Sequence, residues 1–239
     1  MDHITDLLKT FQPYAVAITF AAVYLAEHII PQRREIIDHK HDLLNIGVGV
    51  LNLGIAAVGG YFLQQWLIYI SKSNFGLLQL LPLTFWLKTA IGFILIDLFM
   101  YWWHRVNHEI SFFWRFHRFH HKDEKLNSTS AVRFHVVELI LSYVVKFCLF
   151  SLLGLNVAAV VLHAIVLFPV IVFHHSNVSI STSLDHAVRI VFVSPRMHRI
   201  HHSKDVRETN SNYGSVFPYW DRLFGSYIRS PKKEIEFGV

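Results

Sequence analysis

Five apolar stretches, roughly 13–30, 43–70, 83–103, 136–153 and 156–173, constrain this chain more than any other feature. Crossing about 30 Å of hydrocarbon takes about 20 helical residues. Each stretch approaches or exceeds that length, with the first and the last two near the short limit. Composition agrees: 16% of the 239 residues are charged and 53% are hydrophobic, whereas soluble domains carry about 25% charged residues. The sequence therefore predicts an all-α integral membrane bundle of about four to five spans. The 20 Phe, 9 Tyr and 6 Trp suit helix cores and membrane interfaces. We see no linker, repeat or low-complexity segment. The expected division is 1–82 as N-terminal membrane helices and 83–239 as the region that carries the histidine motifs, within a single structural domain.

Charge orients the stretches. Arg33, Arg34 and Lys40 follow the first, and Lys72 is the sole basic residue between the second and third. Arg105, Arg115, Arg118, Lys122, Lys125 and Arg133 follow the third, and Arg189, Arg196, Arg199, Lys204 and Arg207 lie in the tail. By the positive-inside rule the N-terminus is expected outside and the C-terminus in the cytoplasm. The third stretch runs into His104. The fourth and fifth turn near Gly154-Leu155-Asn156 and return to end at His174-His175. Every histidine cluster then lands on one membrane face, as a histidine-rich helical cap expected on the cytoplasmic side. The membrane is expected to be a bacterial inner membrane or one of the ER type.

The net charge of +5 fits anionic headgroups rather than nucleic acid, for which no basic helix or finger spacing speaks. The lone Cys148 forms no internal disulfide and reads as a small buried hydrophobe. Asp2 and Asp6 make the start acidic, unlike a cleaved secretory signal. Lys88, Asp97, Glu138 and Lys146 fall inside apolar runs, where charge is costly. The two lysines read as snorkelling near helix ends. Asp97, two helical turns before His104, and Glu138, three residues after His135, are expected to orient ligand histidines.

Histidine is the outlier, with 17 residues, 13 of them between His104 and His202. His104-Arg105-Val106-Asn107-His108 places two imidazoles at i and i+4. His117-Arg118-Phe119-His120-His121 and His198-Arg199-Ile200-His201-His202 repeat the spacing i, i+3, i+4. On a helix such positions share a face. Eight converging imidazoles exceed the four of a structural zinc, so two metal ions fit better. Imidazole suits iron, zinc and copper alike, and the spacing does not choose among them.

Over residues 90–228 the chain resembles the fatty acid hydroxylase and sterol desaturase superfamily. The matching text includes Tyr101-Trp102-Trp103-His104, Phe113-Trp114-Arg115-Phe116-His117, Thr129 to His135, His174-His175-Ser176-Asn177, Pro195-Arg196-Met197-His198 and Asn210 to Gly214. The resemblance implies a membrane-bound pair of iron ions, with zinc possible in isolated protein, held by His104, His108, His117, His120, His121, His198, His201 and His202. It implies a ninth ligand, His175 in preference to His174, because the family's His-Ser-Asn pattern falls on His175-Ser176-Asn177. Glu109 reads as a residue that orients His108 or meets the metal, or as a simple solvated glutamate. His135 reads as a ligand or a neighbour of one. His163 and His186 read as packing, and His3, His28, His39 and His41 receive no chemistry. Asn212, Tyr213 and Gly214 mark a turn in a loop expected to pack on the metal helices.

The resemblance further implies hydroxylation or desaturation of a lipid C–H bond with O2. No GxGxxG follows a strand and one cysteine cannot hold an iron–sulfur cluster, so a separate ferredoxin, cytochrome or reductase is expected to supply electrons. The rival readings are a zinc-dependent membrane hydrolase, a metal-binding or transport protein, and a haem protein. Substrate, regiochemistry and oligomeric state are not readable from the sequence.

Overall fold

Most of the long helices begin where a polar side chain accepts free amides of the first turn. In the computed structural model, which describes residues 2–239, Asp38 caps α2 (His39–Lys72) through the amides of Lys40 and His41. Thr84 caps α4 (Phe85–Glu109) through Leu87, and Asn156 caps α7 (Val157–His175) through Ala159. The chain runs from α1 (Asp2–Ile29) through α2, a short α3 (Leu77–Leu80), α4, α5 (Ser111–His121), α6 (Val136–Leu153) and α7. It closes with four shorter helices: α8 (Thr182–Val191), α9 (Pro195–His201), α10 (Val206–Thr209) and α11 (Tyr219–Leu223). Single 3-10 turns at Arg34–Ile36 and Ser128–Val132 punctuate the connections. Among the described residues there is no sheet, only an isolated bridge between Pro31 and Val178.

Four segments are long and apolar enough to cross a membrane: His39–Leu80, Phe85–Glu109, Val136–Leu153 and Val157–His175. The expected first stretch lies within α1, a 28-residue helix that starts well before Gln12-Pro13 and is not among those four. It packs mainly along α7, while α2 packs on α6 and α4 on α7. Leu67, Ile96, Phe99, Phe150, Leu155 and Ala159 form the buried seam between them. On the outside, α2 exposes Leu43, Leu44, Leu51, Leu53, Tyr61 and Phe62. An apolar exterior of this extent is what a bilayer solvates. Cys148 also lies on an exposed face rather than in the core. The backbone there faces outward, as helical phase dictates once Phe150 is turned inward.

The turn between α6 and α7 falls where the sequence places it. Gly154 ends α6 in the left-handed region, at φ 67. It sits against Gly76, itself at φ 98, so closely that a Cβ on Gly76 would lie 2.4 Å from the Gly154 Cα. That approach lets the α2–α3 connection lie against the hairpin. The hairpin in turn returns α7 to the end of the bundle where α4 stops and α6 starts. The histidine-bearing termini of α4, α5 and α7 are thereby brought to one end, beneath the polar segment 176–239.

Candidate metal centre

The helix ends converge nine histidines as two groups. His104 and His108 come from the last turns of α4, and His117 and His121 from α5. Together with His201 of α9 they place one ring nitrogen each within 4.8 Å of all the others. His120 of α5, His175 of α7, and His198 and His202 at α9 form a second group by the same measure. The i, i+3, i+4 spacing thus divides between the groups. His121 and His201 go one way, His120, His198 and His202 the other. All nine are buried except His104, which is half-buried.

Six of the nine rings are oriented by an oxygen at Nδ1. His104 meets Tyr213 O at 2.8 Å, His108 meets Asn210 Oδ1 at 3.3 Å, and His117 meets Glu138 Oε1 at 2.8 Å. His120 meets Arg133 O at 3.2 Å, His175 meets Ile171 O at 2.7 Å and His201 meets Ser211 O at 2.7 Å. A carbonyl or carboxylate accepts only, so each of these rings donates its Nδ1–H. That tautomer leaves the Nε2 lone pair pointing inward, the arrangement usual for metal-ligating histidines.

The inward nitrogens have nothing in the protein to bind. Nε2 of His104, His108, His117, His121 and His201 are buried without a hydrogen-bond partner. In the second group, Nε2 of His120 and His175 are 3.1 Å apart, His175 and His198 3.0 Å, and His198 and His202 3.1 Å. For His120 and His175 the tautomers put two lone pairs face to face, which only a shared cation relieves. Nitrogens bound about 2.0–2.1 Å from one ion lie about 3.0–3.4 Å from their neighbours. The residues present therefore fit two metal ions, and no carboxylate or thiolate enters either group. Burial, reinforced by neighbouring imidazoles, pushes His120, His121, His198 and His202 well below the usual histidine range, and burial takes His201 to about 3. These rings are neutral at pH 7, the protonation state that binds metal.

The other sequence candidates separate. Glu138 accepts from Nδ1–H of His117 at 2.8 Å rather than from His135, three residues before it. Asp97 does not orient a ligand. Its carboxylate accepts from the amides of Val216 and Phe217 at 3.3 Å each, from Trp220 Nε1 at 2.8 Å, and faces His163 at 3.4 Å. The face it shares with His104 is occupied, at that depth, by the 212–224 segment, so Asp97 anchors the cap. Glu109 is exposed and pairs with Arg105 at 2.8 Å, one turn back on the outer side of α4. His135 caps α6, accepting from Val137 N at 3.2 Å, and belongs to neither group. His174 is buried with its ring 4.0 Å from that of His198, yet it too lies outside both groups. His163 is packed on Phe93 and His186 is exposed, while Lys88 snorkels to Gln79 O at 3.2 Å.

Sequence reasoning missed the partners that act through backbone oxygen, because a carbonyl leaves no mark on the sequence. Tyr213 orients His104 in this way and rests its ring on His104, His108 and His201. Asp221 fixes that turn by accepting from the Tyr213 and Gly214 amides. It also missed His41, whose Nε2 lies 2.6 Å from Asp123 in a buried network with Asn45, Thr129 and Ser130. That network braces Arg133, the residue whose carbonyl holds His120. His28, His39 and Asp42 come together at the α1–α2 end.

Helices long and apolar enough to cross a membrane, carrying two buried all-histidine groups at one end, fit a membrane protein with a dimetal site. Residues 89–226, more than half of the chain, match the fatty acid hydroxylase family model, and the chain belongs to that family. It is 30% identical over 151 residues to the ornithine lipid hydroxylase OlsE of Rhizobium tropici, covering 63% of this chain and 44% of that protein. It is 30% identical over 170 residues to alkylglycerol monooxygenase of Xenopus tropicalis, covering 70% and 35%, and 27% identical over 150 residues to the Homo sapiens enzyme, covering 63% and 32%. The chain thus spans less than half the length of these relatives. No solved structure is a significant match.

Proposed function

We propose that this chain is a membrane-bound non-haem di-iron oxygenase that hydroxylates a C–H bond of a lipid, using O2 and electrons from a separate carrier. The observation that supports it most is the pair of buried histidine groups whose inward nitrogens have no partner in the protein. The names of the relatives, hydroxylase and monooxygenase, favour hydroxylation over desaturation.

In this reading the five-histidine group, His104, His108, His117, His121 and His201, holds one ion, and His120, His175, His198 and His202 hold the other. When bound, such ions supply the activation of O2 that no side chain can perform, and the protein supplies placement and electrostatics. Glu138, Asn210 and the carbonyls of Tyr213, Arg133, Ile171 and Ser211 keep six of the nine imidazoles in the binding tautomer. A cavity of about 180 Å³ opens beside the histidines and is walled by Met100, Leu139, Leu167 and Ile171. Its apolar side aligns a hydrocarbon chain and excludes bulk water from the reacting carbon. Residues 83–239 carry this machinery and 1–82 complete the bundle. The basic connections favour a cytoplasmic site, which an acidic ferredoxin, cytochrome or reductase would reach.

The test is isotopic. Purified protein in bilayer nanodiscs, given a chemical reductant, a lipid extract and 18O2, should yield hydroxylated lipid carrying one 18O atom. Products formed equally under argon would contradict the proposal and point to hydrolysis.

A further inference from the structure

The cavity beside the histidines carries a charge that the chemistry above leaves unused. Glu138, Ser142 and Lys146 line it at i, i+4 and i+8, a single face of α6. Lys146 is not near a helix end and so does not snorkel as its sequence context suggests. It is the eleventh of eighteen residues in a membrane-spanning helix. There it walls both the cavity beside the histidines and an adjoining chamber of about 390 Å³, which Gln12 and Gln64 also line. Its Nζ lies 5.2 Å from the centroid of the Tyr143 ring, and that ring is fixed by its hydroxyl donating to Ala56 O. Among the described residues no carboxylate lies within ion-pair distance of Lys146. An unpaired cation at that depth is costly, and intramembrane charges of this kind face a ligand or a partner.

The two ends of the cavity differ in what lines them. At the histidine end, Glu138 gives Oε1 to His117 while its Oε2 is buried without a partner. Lys146 stands eight residues along the helix, about 12 Å away. Lys146 attracts an anionic group on a lipid; bound cations at the histidine end would attract one too, and the Lys146 variants below separate the two. The wall between the two ends is largely apolar, from Met100, Leu139, Leu167 and Ile171, with Ser142 on the α6 side. We infer that Lys146 binds the anionic headgroup, a carboxylate or phosphate, of a single-chain amphiphilic substrate, and that the chain then runs back along α6 to present a carbon at the histidines. The inference rests on the oxygenase reading for its consequence, but the binding site stands on its own geometry.

The test is equilibrium binding of dodecanoic acid and dodecanol to the metal-loaded protein in nanodiscs of zwitterionic lipid at pH 8, with no turnover required. Wild type should bind the acid at least about tenfold more tightly than the alcohol, as one ion pair in a low-dielectric site allows. Lys146→Met should bring the two within about twofold, and Lys146→Arg should keep the preference. Equal binding by wild type overturns the proposal whether or not the variants fold. So does an acid preference that survives in Lys146→Met, which would assign the carboxylate to the metal ions. The same samples separate this proposal from the functional one. O2-dependent hydroxylation without acid preference defeats Lys146 alone, and a Lys146-dependent preference without any O2-dependent product defeats the oxygenase reading alone.

Discussion

Six of the nine histidines in this centre have their other nitrogen occupied, and those occupants orient the rings toward the site. Glu138 holds His117 through a buried 2.8 Å contact. Glu138→Gln keeps the shape but weakens the orienting bond. It should lower metal affinity about 10–100-fold while leaving the helix content unchanged by circular dichroism; unaltered affinity would show His117 to be held by packing alone. Asp221 makes a different prediction. Burial raises its carboxyl to about 6, although Ser226, Gly214 and Tyr213 donate to it and pull the other way. The unfolded value is about 3.9, so the folded state binds the proton more tightly. This group's contribution to stability therefore rises as pH falls from about 6 to about 4, and is weakest above 6. Unfolding temperatures of wild type and Asp221→Asn, compared from pH 7.5 to pH 5, should show wild type gaining on the variant as pH falls; a constant difference would contradict the assignment. The three histidine motifs were legible because i, i+3 and i+4 mark one helical face. Which ion each imidazole serves was not, because that depends on the packing of α5 against α9. Asp97 misled because helical phase placed it under His104 but could not show that the cap would fill the space between.

At the scale of elements, the bundle depends on helices stopping where they do. Gly154 ends α6 at φ 67 with Gly76 against it, and a Cβ added at Gly154 would meet Phe75 O at 3.0 Å and Gly76 C at 2.9 Å. Gly154→Ala should destabilise the protein by about 1–3 kcal/mol, from left-handed backbone and displaced neighbours together. Thermal unfolding in detergent would read this as a lowered midpoint, and an unchanged midpoint would mean the crossing is loose. The hairpin was legible from Gly154 and Asn156 between two apolar runs. α1 was read more narrowly than it folds, because its helix continues through the polar residues before Pro13, which hydropathy cannot see. Lys146 was placed at a helix end for the same reason: apolar runs show where a helix is, not which of its residues faces a cavity.

Across the whole molecule the structure places its chemistry at one end of the bundle. α4 and α7 finish there, α6 begins there, and the segment 176–239 folds over them, held by Asp97 to Val216, Phe217 and Trp220 and by Tyr213 O to His104. That convergence followed from span order and was readable in the sequence. The nine nitrogens divided five and four were not, and they are the basis for assigning two ions. The most direct measurement is metal content of protein purified anaerobically in detergent, for wild type, His121→Ala and His202→Ala. The account predicts close to two iron ions per chain in wild type and a loss of metal in both variants, with the remaining ion held by the five-histidine group in His202→Ala and by the four-histidine group in His121→Ala. A single ion in wild type, or full metal content in either variant, would contradict it.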